Sequence, residues 1–301
     1  MILSTEQTEK LLPVSMEPER IQQILSETAN AKALIQLDQN AYYDVEKDAQ
    51  IISQYYQNIN FMQPGILDSI RQLLEASHTN IVRYDPSEYV YPWVDLQPDG
   101  RLKSIYSGKI RQPENVIKED ANTTRKRREA AEAFQASGQN EEQRLAQIES
   151  NFKYNCEHVV PQSWFNEREP MRGDIHHLFT CDPACNSMRS NFPYHDFSDY
   201  NPELISVQGV KESCGKSLDE RFEPEYGKGA VARAMLYFLL RYPDEIEASH
   251  KKEIDVSLLL KWHEDFPPGI YEKHHNLAIY EIQGNRNPWI DYPVNLMRIF
   301  Q

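Results

Sequence analysis

The sequence predicts an α+β fold, with a small strand–strand–helix centre set in a mostly helical single domain. Three observations carry that expectation. The stretch "YNCEHVVPQSW", residues 154–164, reads as a short strand ending in Val159, Val160 and Pro161. Downstream, "RGDIHHLFTCDPACNSMRSNFPY" holds an apolar stretch at residues 175–179. A turn through Asp182 and Pro183 follows, then a polar helix from about Ala184 or Cys185. The third is "KGAVARAMLYFLLRY", apolar almost all round and therefore a buried helix, closed by Pro243.

The remaining elements follow from periodicity. Residues 15–37 place Ile21, Ile24, Leu25, Leu34 and Ile35 at helical spacing, with Ser15 as the expected N-cap. "QIISQYYQNINF" continues the helical section, and residues 1–60 form an N-terminal helical extension ahead of a domain at 61–295. "LKSIYSGKI" alternates like a strand. Residues 118–150 are charged and rich in Ala and Gln, which predicts an exposed helical or flexible insertion outside the core. "EIDVSLLLKWHEDF" puts Ile254, Leu258, Leu259 and Trp262 on one helical face. "YEKHHNLAIYEIQ" continues the pattern, and "GNRNPWID" ends it as a loop. No internal repeat is evident.

Composition bounds the function. The 301 residues suffice for one large domain or two small ones, and four cysteines are too few to staple a chain of this size. No apolar run is long enough to span a membrane. The start "MILSTEQTEKLLPV" lacks a basic segment followed by an apolar one, so the default expectation is cytoplasmic unless a leader has been removed. A net charge of -14 argues against docking on a polyanion through one broad basic face. A local basic cleft remains compatible with that balance. "RKRR" at residues 125–128, with Arg101, Lys103, Lys109 and Arg111 upstream, is either such an element or a solvated helix face.

The chemistry lies in Glu157-His158 and Asn186. Neighbours in a strand point to opposite faces, so both side chains serve one site only where the backbone turns or the site wraps the strand end. Phosphodiester hydrolysis needs a base for water and a cation for the charge developing on phosphorus and the leaving oxygen. Histidine titrates near working pH. A carboxylate and an amide oxygen suit a hard cation such as Mg²⁺ that retains most of its waters. A strand with Glu-His, a second strand and a helix with Asn186 stand in the order of a ββα-metal hairpin.

The pieces "IYSGK", "CEHVVPQSWF", "EPMRGDIHHLF", "CNSMRSNFPY", "FEPEYGKGAVARAMLYFLLRYP", "WHEDF" and "QGNRNPWID" occur in order over residues 105–291, within a likeness that begins near Ile66. Together the chain resembles the bacterial endonuclease I family of nonspecific nucleases, in the ββα-metal (His-Me finger) superfamily. The resemblance implies a metal-dependent endonuclease for DNA and RNA that leaves 5′-phosphate ends. His158 would be the general base, and Glu157 and Asn186 the ligands of Mg²⁺, with Mn²⁺ or Ca²⁺ as substitutes. His177 would brace the hairpin as the third catalytic residue. For the arginine that steadies the scissile phosphate, Arg172 comes first and Arg189 and Arg168 follow; Arg189 could equally hold the helix end. The family usually has Arg-Asn where this chain has His275-Asn276. Relatives are often periplasmic or secreted, and an inhibitor or immunity protein is a partner of such enzymes.

Cys156, Cys181, Cys185 and Cys214 bracket this hairpin, and zinc, disulfides and free thiols all stay open. Whatever their chemistry, their placement predicts one spatial cluster. Histidines at the helical spacing of zinc hydrolases are missing. Two other readings compete with a nonspecific nuclease: a non-catalytic nucleic-acid-binding protein, and a sequence-specific His-Asn-His endonuclease. The latter needs a base-reading module that the sequence lacks.

Overall fold

The computed structural model describes residues 4–134, 141–202 and 214–300. Helices dominate, and the described strands form three separate antiparallel pairs: β1 (Leu102–Lys103) with β2 (Ile110–Arg111), β3 (Cys156–His158) with β4 (Leu178–Thr180), and β5 (Gly215–Leu218) with β6 (Arg221–Pro224). The architecture is α+β. The sequence read "LKSIYSGKI" as one strand, but it folds as a tight hairpin. Gly108 at φ 66° donates its amide to Ser104 and turns the chain back between β1 and β2.

Two hydrophobic cores flank the central β3–β4 pair. One forms around the helix Lys228–Arg241, where Val231, Phe238 and Trp164 meet Trp262 of the helix Val256–Asp265. The other gathers Val14, Ile24, Tyr91, Val94, Leu178 and Leu277. Pairing of Cys156 with Thr180, Glu157 with Phe179 and His158 with Leu178 explains the division. Alternate residues leave opposite faces, so Cys156 and Leu178 enter the second core while Phe179 and Cys181 enter the first.

The N-terminal extension is part of this body, because Val14, Ile24, Ile35, Tyr42 and Tyr43 lie in the second core. Buried Arg286 also clamps it: Nη2 donates to Asp48 at 3.3 Å, while Nε and Nη2 each reach Asp291 at 2.8 Å. The first long helix runs Pro18–Leu37, later than the expected cap at Ser15, whose hydroxyl accepts from the Glu17 amide instead. Of the span 118–150, residues 135–140 lie outside the described residues, and residues 118–134 are less separate than their composition implied. The helix Pro113–Phe134 packs Val116, Ile117, Ala121 and Thr124 inward together with the charged Asp120 and Arg127, while Lys118, Glu119, Arg125, Lys126 and Arg128 stay exposed. "GNRNPWID" contains the short helix Pro288–Asp291, capped by the Asn287 side chain on the Trp289 amide. The departure at His275-Asn276 is structural here. Asn276 holds that turn through Asp291 and the Asn287 amide, and His275 packs edge-on to Phe179.

Candidate functional site

Glu157 and His158 both line one open cleft of about 310 Å³, together with Lys153, Arg172, Asn186 and Arg189. The strand is so short that the cleft wraps its end, and two neighbours on opposite faces reach the same space. The helix Pro183–Arg189 supplies Asn186 and Arg189. It starts where the Asp182 carboxylate accepts from the Ala184 amide and Pro183 needs no amide partner.

Glu157 is sealed from solvent, and its Oε1 accepts from the Tyr106 hydroxyl at 2.8 Å and Arg189 Nη1 at 3.1 Å. Burial raises its pKa, opposed by Arg189, the Tyr106 hydroxyl and Lys153. Tyr106 belongs to "IYSGK", so that segment of the resemblance ends on the carboxylate. Asn186 donates Nδ2 to the Cys156 carbonyl at 3.0 Å, which aligns its amide along β3, and its Oδ1 accepts from Lys153 Nζ at 3.3 Å. Burial lowers the Lys153 pKa, and Glu157 opposes this.

His158 Nε2 lies 3.0 Å from the Arg172 carbonyl. A carbonyl only accepts, so Nε2 carries the proton and Nδ1 is the lone-pair nitrogen of a side chain lining the cleft. Burial, then His177, holds the imidazole pKa well below its ordinary value. The ring rests 4.5 Å from Tyr84. His177 sits behind it, 5.3 Å between ring centroids, and donates Nε2 to the Met171 carbonyl at 2.6 Å. It therefore holds the loop that presents Arg172, and its backbone carbonyl accepts from Val159 at 2.9 Å.

The three arginines separate. Arg172 lines the cleft, fixed by Gln162 Oε1 at 2.8 Å and the Lys10 carbonyl at 2.8 Å. Arg189 is buried, spanning Glu157 and the carbonyls of His158 and Val159, the last at 2.8 Å. These bonds tie the end of the helix Pro183–Arg189 to β3. Arg168 faces away, paired with Glu245 at 2.8 Å, and lines a neighbouring cavity instead. Of the run at 125–128, Arg127 is buried against Tyr154 and bonded to the Phe152 and Leu11 carbonyls, whereas Arg125, Lys126 and Arg128 are exposed.

The four cysteines lie around the hairpin, Cys156 opposite Thr180 and so beside Cys181, and they divide between two chemistries. Cys185 and Cys214 form a disulfide, while Cys156 and Cys181 remain buried thiols in different cores. Among the described residues no three His, Cys, Asp or Glu side chains converge on a point, so no cysteine set there is arranged to hold zinc. The sequence reading missed Lys153, Tyr84, Tyr106 and Gln162. Tyr106 and Gln162 lie within the quoted pieces "IYSGK" and "CEHVVPQSWF", but nothing in the spacing of the four marks them as part of the site.

The sequence profile of the Endonuclease I family matches residues 85–294. An extracellular ribonuclease of Bacillus amyloliquefaciens is 36% identical over 156 residues, 46% of this chain and 51% of that protein. An extracellular deoxyribonuclease of Aeromonas hydrophila is 29% identical over 165 residues, 48% of this chain and 68% of its own. A periplasmic deoxyribonuclease of the same organism is 30% identical over 127 residues, 42% of this chain and 50% of its own. The chain spans about half the length of the Bacillus relative it matches. With the profile covering more than half of its residues, the chain belongs to the endonuclease I family.

Proposed function

We propose that this chain is a metal-dependent, sequence-nonspecific endonuclease that hydrolyses DNA and RNA to 5′-phosphate ends, built on a ββα-metal hairpin. The observation that carries the reading is one cleft holding a neutral imidazole, two oxygen donors and an arginine. His158 Nδ1 takes the proton of the attacking water, and the Arg172 carbonyl on Nε2 keeps the ring in the needed tautomer. Arg172 faces the phosphate, its remaining donors available after the bonds to Gln162 and the Lys10 carbonyl.

The donor set suits a hard divalent cation. Glu157 Oε1 is committed to Tyr106 and Arg189, which leaves Oε2, and the Asn186 amide is oriented with Oδ1 toward the same rim where a lysine ammonium already sits. Glu157 and Asn186 would hold Mg²⁺, Mn²⁺ or Ca²⁺, which neutralises charge on the phosphate and the leaving 3′ oxygen when bound. Water as nucleophile makes no use of a ribose 2′-hydroxyl, so both sugars are substrates. The pairing of ribonuclease and deoxyribonuclease among its relatives supports this breadth.

Relatives named extracellular and periplasmic favour an exported protein, in which a disulfide persists. Among the described residues no helix is long and apolar enough to cross a membrane. An inhibitor that covers the cleft would protect a producing cell. The test is cleavage of supercoiled plasmid and of RNA by purified protein with Mg²⁺, with and without chelator. Both substrates should degrade to a smear only with metal. Intact substrates in both conditions would favour a nucleic-acid-binding role, and discrete fragments a sequence-specific enzyme.

A further inference from the structure

Lys153 stands just ahead of β3, half-buried in the cleft wall. Its Nζ donates to Asn186 Oδ1 at 3.3 Å, and its charge stabilises the Glu157 carboxylate. The Asn186 amide cannot turn away, because Nδ2 is held by the Cys156 carbonyl. One ammonium thus rests on Asn186 Oδ1, within electrostatic reach of Glu157, where the proposed function places a divalent cation. Two cations cannot share that spot: unit charges at 4 Å repel by about 1 kcal/mol in bulk water and about 4 kcal/mol at an effective dielectric of 20. A lysine stem is long and flexible, so Nζ can leave without moving the backbone.

We propose that Lys153 is the resident counter-cation of the Glu157 and Asn186 oxygens, and that metal binding displaces it into the cleft, where it holds the substrate phosphate. The inference rests on the reading of Glu157 and Asn186 as metal ligands. It assigns Lys153 two successive partners, the oxygens in the metal-free protein and a phosphate oxygen once the metal and substrate are bound. A lysine that only bridges Asn186 structurally would have neither competition with metal nor a substrate effect.

Calorimetric titration of Mn²⁺ into chelator-stripped full-length protein tests the first half. Lys153→Met should bind Mn²⁺ roughly threefold to tenfold more tightly than wild type, as expected for removing one nearby charge. Lys153→Gln, which keeps a donor toward Oδ1 without the charge, should show the same gain and serves if the Met variant folds poorly. Equal or weaker binding in both variants, with wild-type binding intact, overturns the Lys153 inference alone. Absence of Mn²⁺ binding by wild type, or its persistence in Glu157→Gln, overturns the ligand reading. For the second half, Lys153→Met at saturating metal should raise KM for plasmid more than it lowers kcat, with Lys153→Arg restoring KM. An unchanged KM removes the phosphate role.

Discussion

Arg189 Nη1 lies 3.1 Å from Glu157 Oε1, and both side chains are shut off from solvent. The pair ties the helix Pro183–Arg189 to β3, and its two members have different fates on mutation. Removing one partner leaves the other charge buried and uncompensated, which costs about 3–5 kcal/mol. Arg189→Met should therefore lower unfolding stability by that order in urea denaturation. Adding Glu157→Gln should recover part of the loss, because the stranded carboxylate is gone. Additive losses in the double variant would show that Arg189 acts through the His158 and Val159 carbonyls rather than through Glu157.

On the proposed mechanism His158 contributes its lone-pair nitrogen and not a ligand atom. His158→Ala should lower plasmid cleavage by roughly 10²–10⁴-fold, the usual contribution of a general base. Its Mg²⁺ requirement should stay that of wild type. Glu157→Gln and Asn186→Ala should instead raise the Mg²⁺ concentration for half-maximal rate. Cleavage by His158→Ala within threefold of wild type would remove this imidazole from the mechanism.

The basic run divides by burial. Arg127 stacks on Tyr154 at 4.2 Å and donates to the Phe152 carbonyl at 2.8 Å and the Leu11 carbonyl at 3.0 Å. Arg127→Ala should cost about 2–3 kcal/mol, from charged hydrogen bonds and a lost cation–π contact. Exposed Arg125, Lys126 and Arg128 are expected to change stability by within about 0.5 kcal/mol each when replaced by Ala. If they track the substrate, the triple variant also flattens the salt dependence of DNA binding, each lost phosphate contact removing about 0.9 from the slope. Salt dependence unchanged in the triple variant marks them as solvated helix surface.

The elements were legible where a local signal and the tertiary structure agree. The apolar helix at Lys228–Arg241 and the Asp182-Pro183 helix start needed only periodicity and cap chemistry. The strand around Glu157-His158 was visible for the same reason. The hairpin at residues 102–111 was not, because alternation continues across a turn that Gly108 makes. Asp120, Arg127 and Arg233 are buried charges, and a charged helix reads as exposed until its partners are known. Tyr91 and the Asn155 amide satisfy Asp120, and Glu272 clamps Arg233, each from far along the chain. The supports of the site were hidden in the same way: Tyr106 comes from the β1–β2 turn and Gln162 from the segment after β3. Periodicity reports which face of one element is apolar, and it carries no information about which distant side chain meets it.

His263 offers a test of acid sensitivity away from the cleft. It is buried edge-on to Trp289, with Nε2 3.2 Å from the Pro293 carbonyl and Nδ1 facing Arg233 Nη1 at 3.4 Å. The carbonyl accepts, so Nε2 carries the proton, and Arg233 donates toward the lone pair of Nδ1. Protonating Nδ1 would set two donors and two positive charges against each other. Burial pulls the pKa down to about 4, the Pro293 bond opposes this, and Arg233 lowers it further. The unfolded chain binds this proton near the ordinary value of 6.5, and the folded one only near 4. Between those values the unfolded state holds more protons, so stability rises with pH across the window and is lost as pH falls through it. Urea unfolding of wild type should weaken progressively from pH 6.5 toward 4. In His263→Gln the slope over that interval should be shallower, whatever the stability at neutral pH, since no imidazole remains to titrate. Identical slopes in the two proteins would mean that other groups carry the acid response.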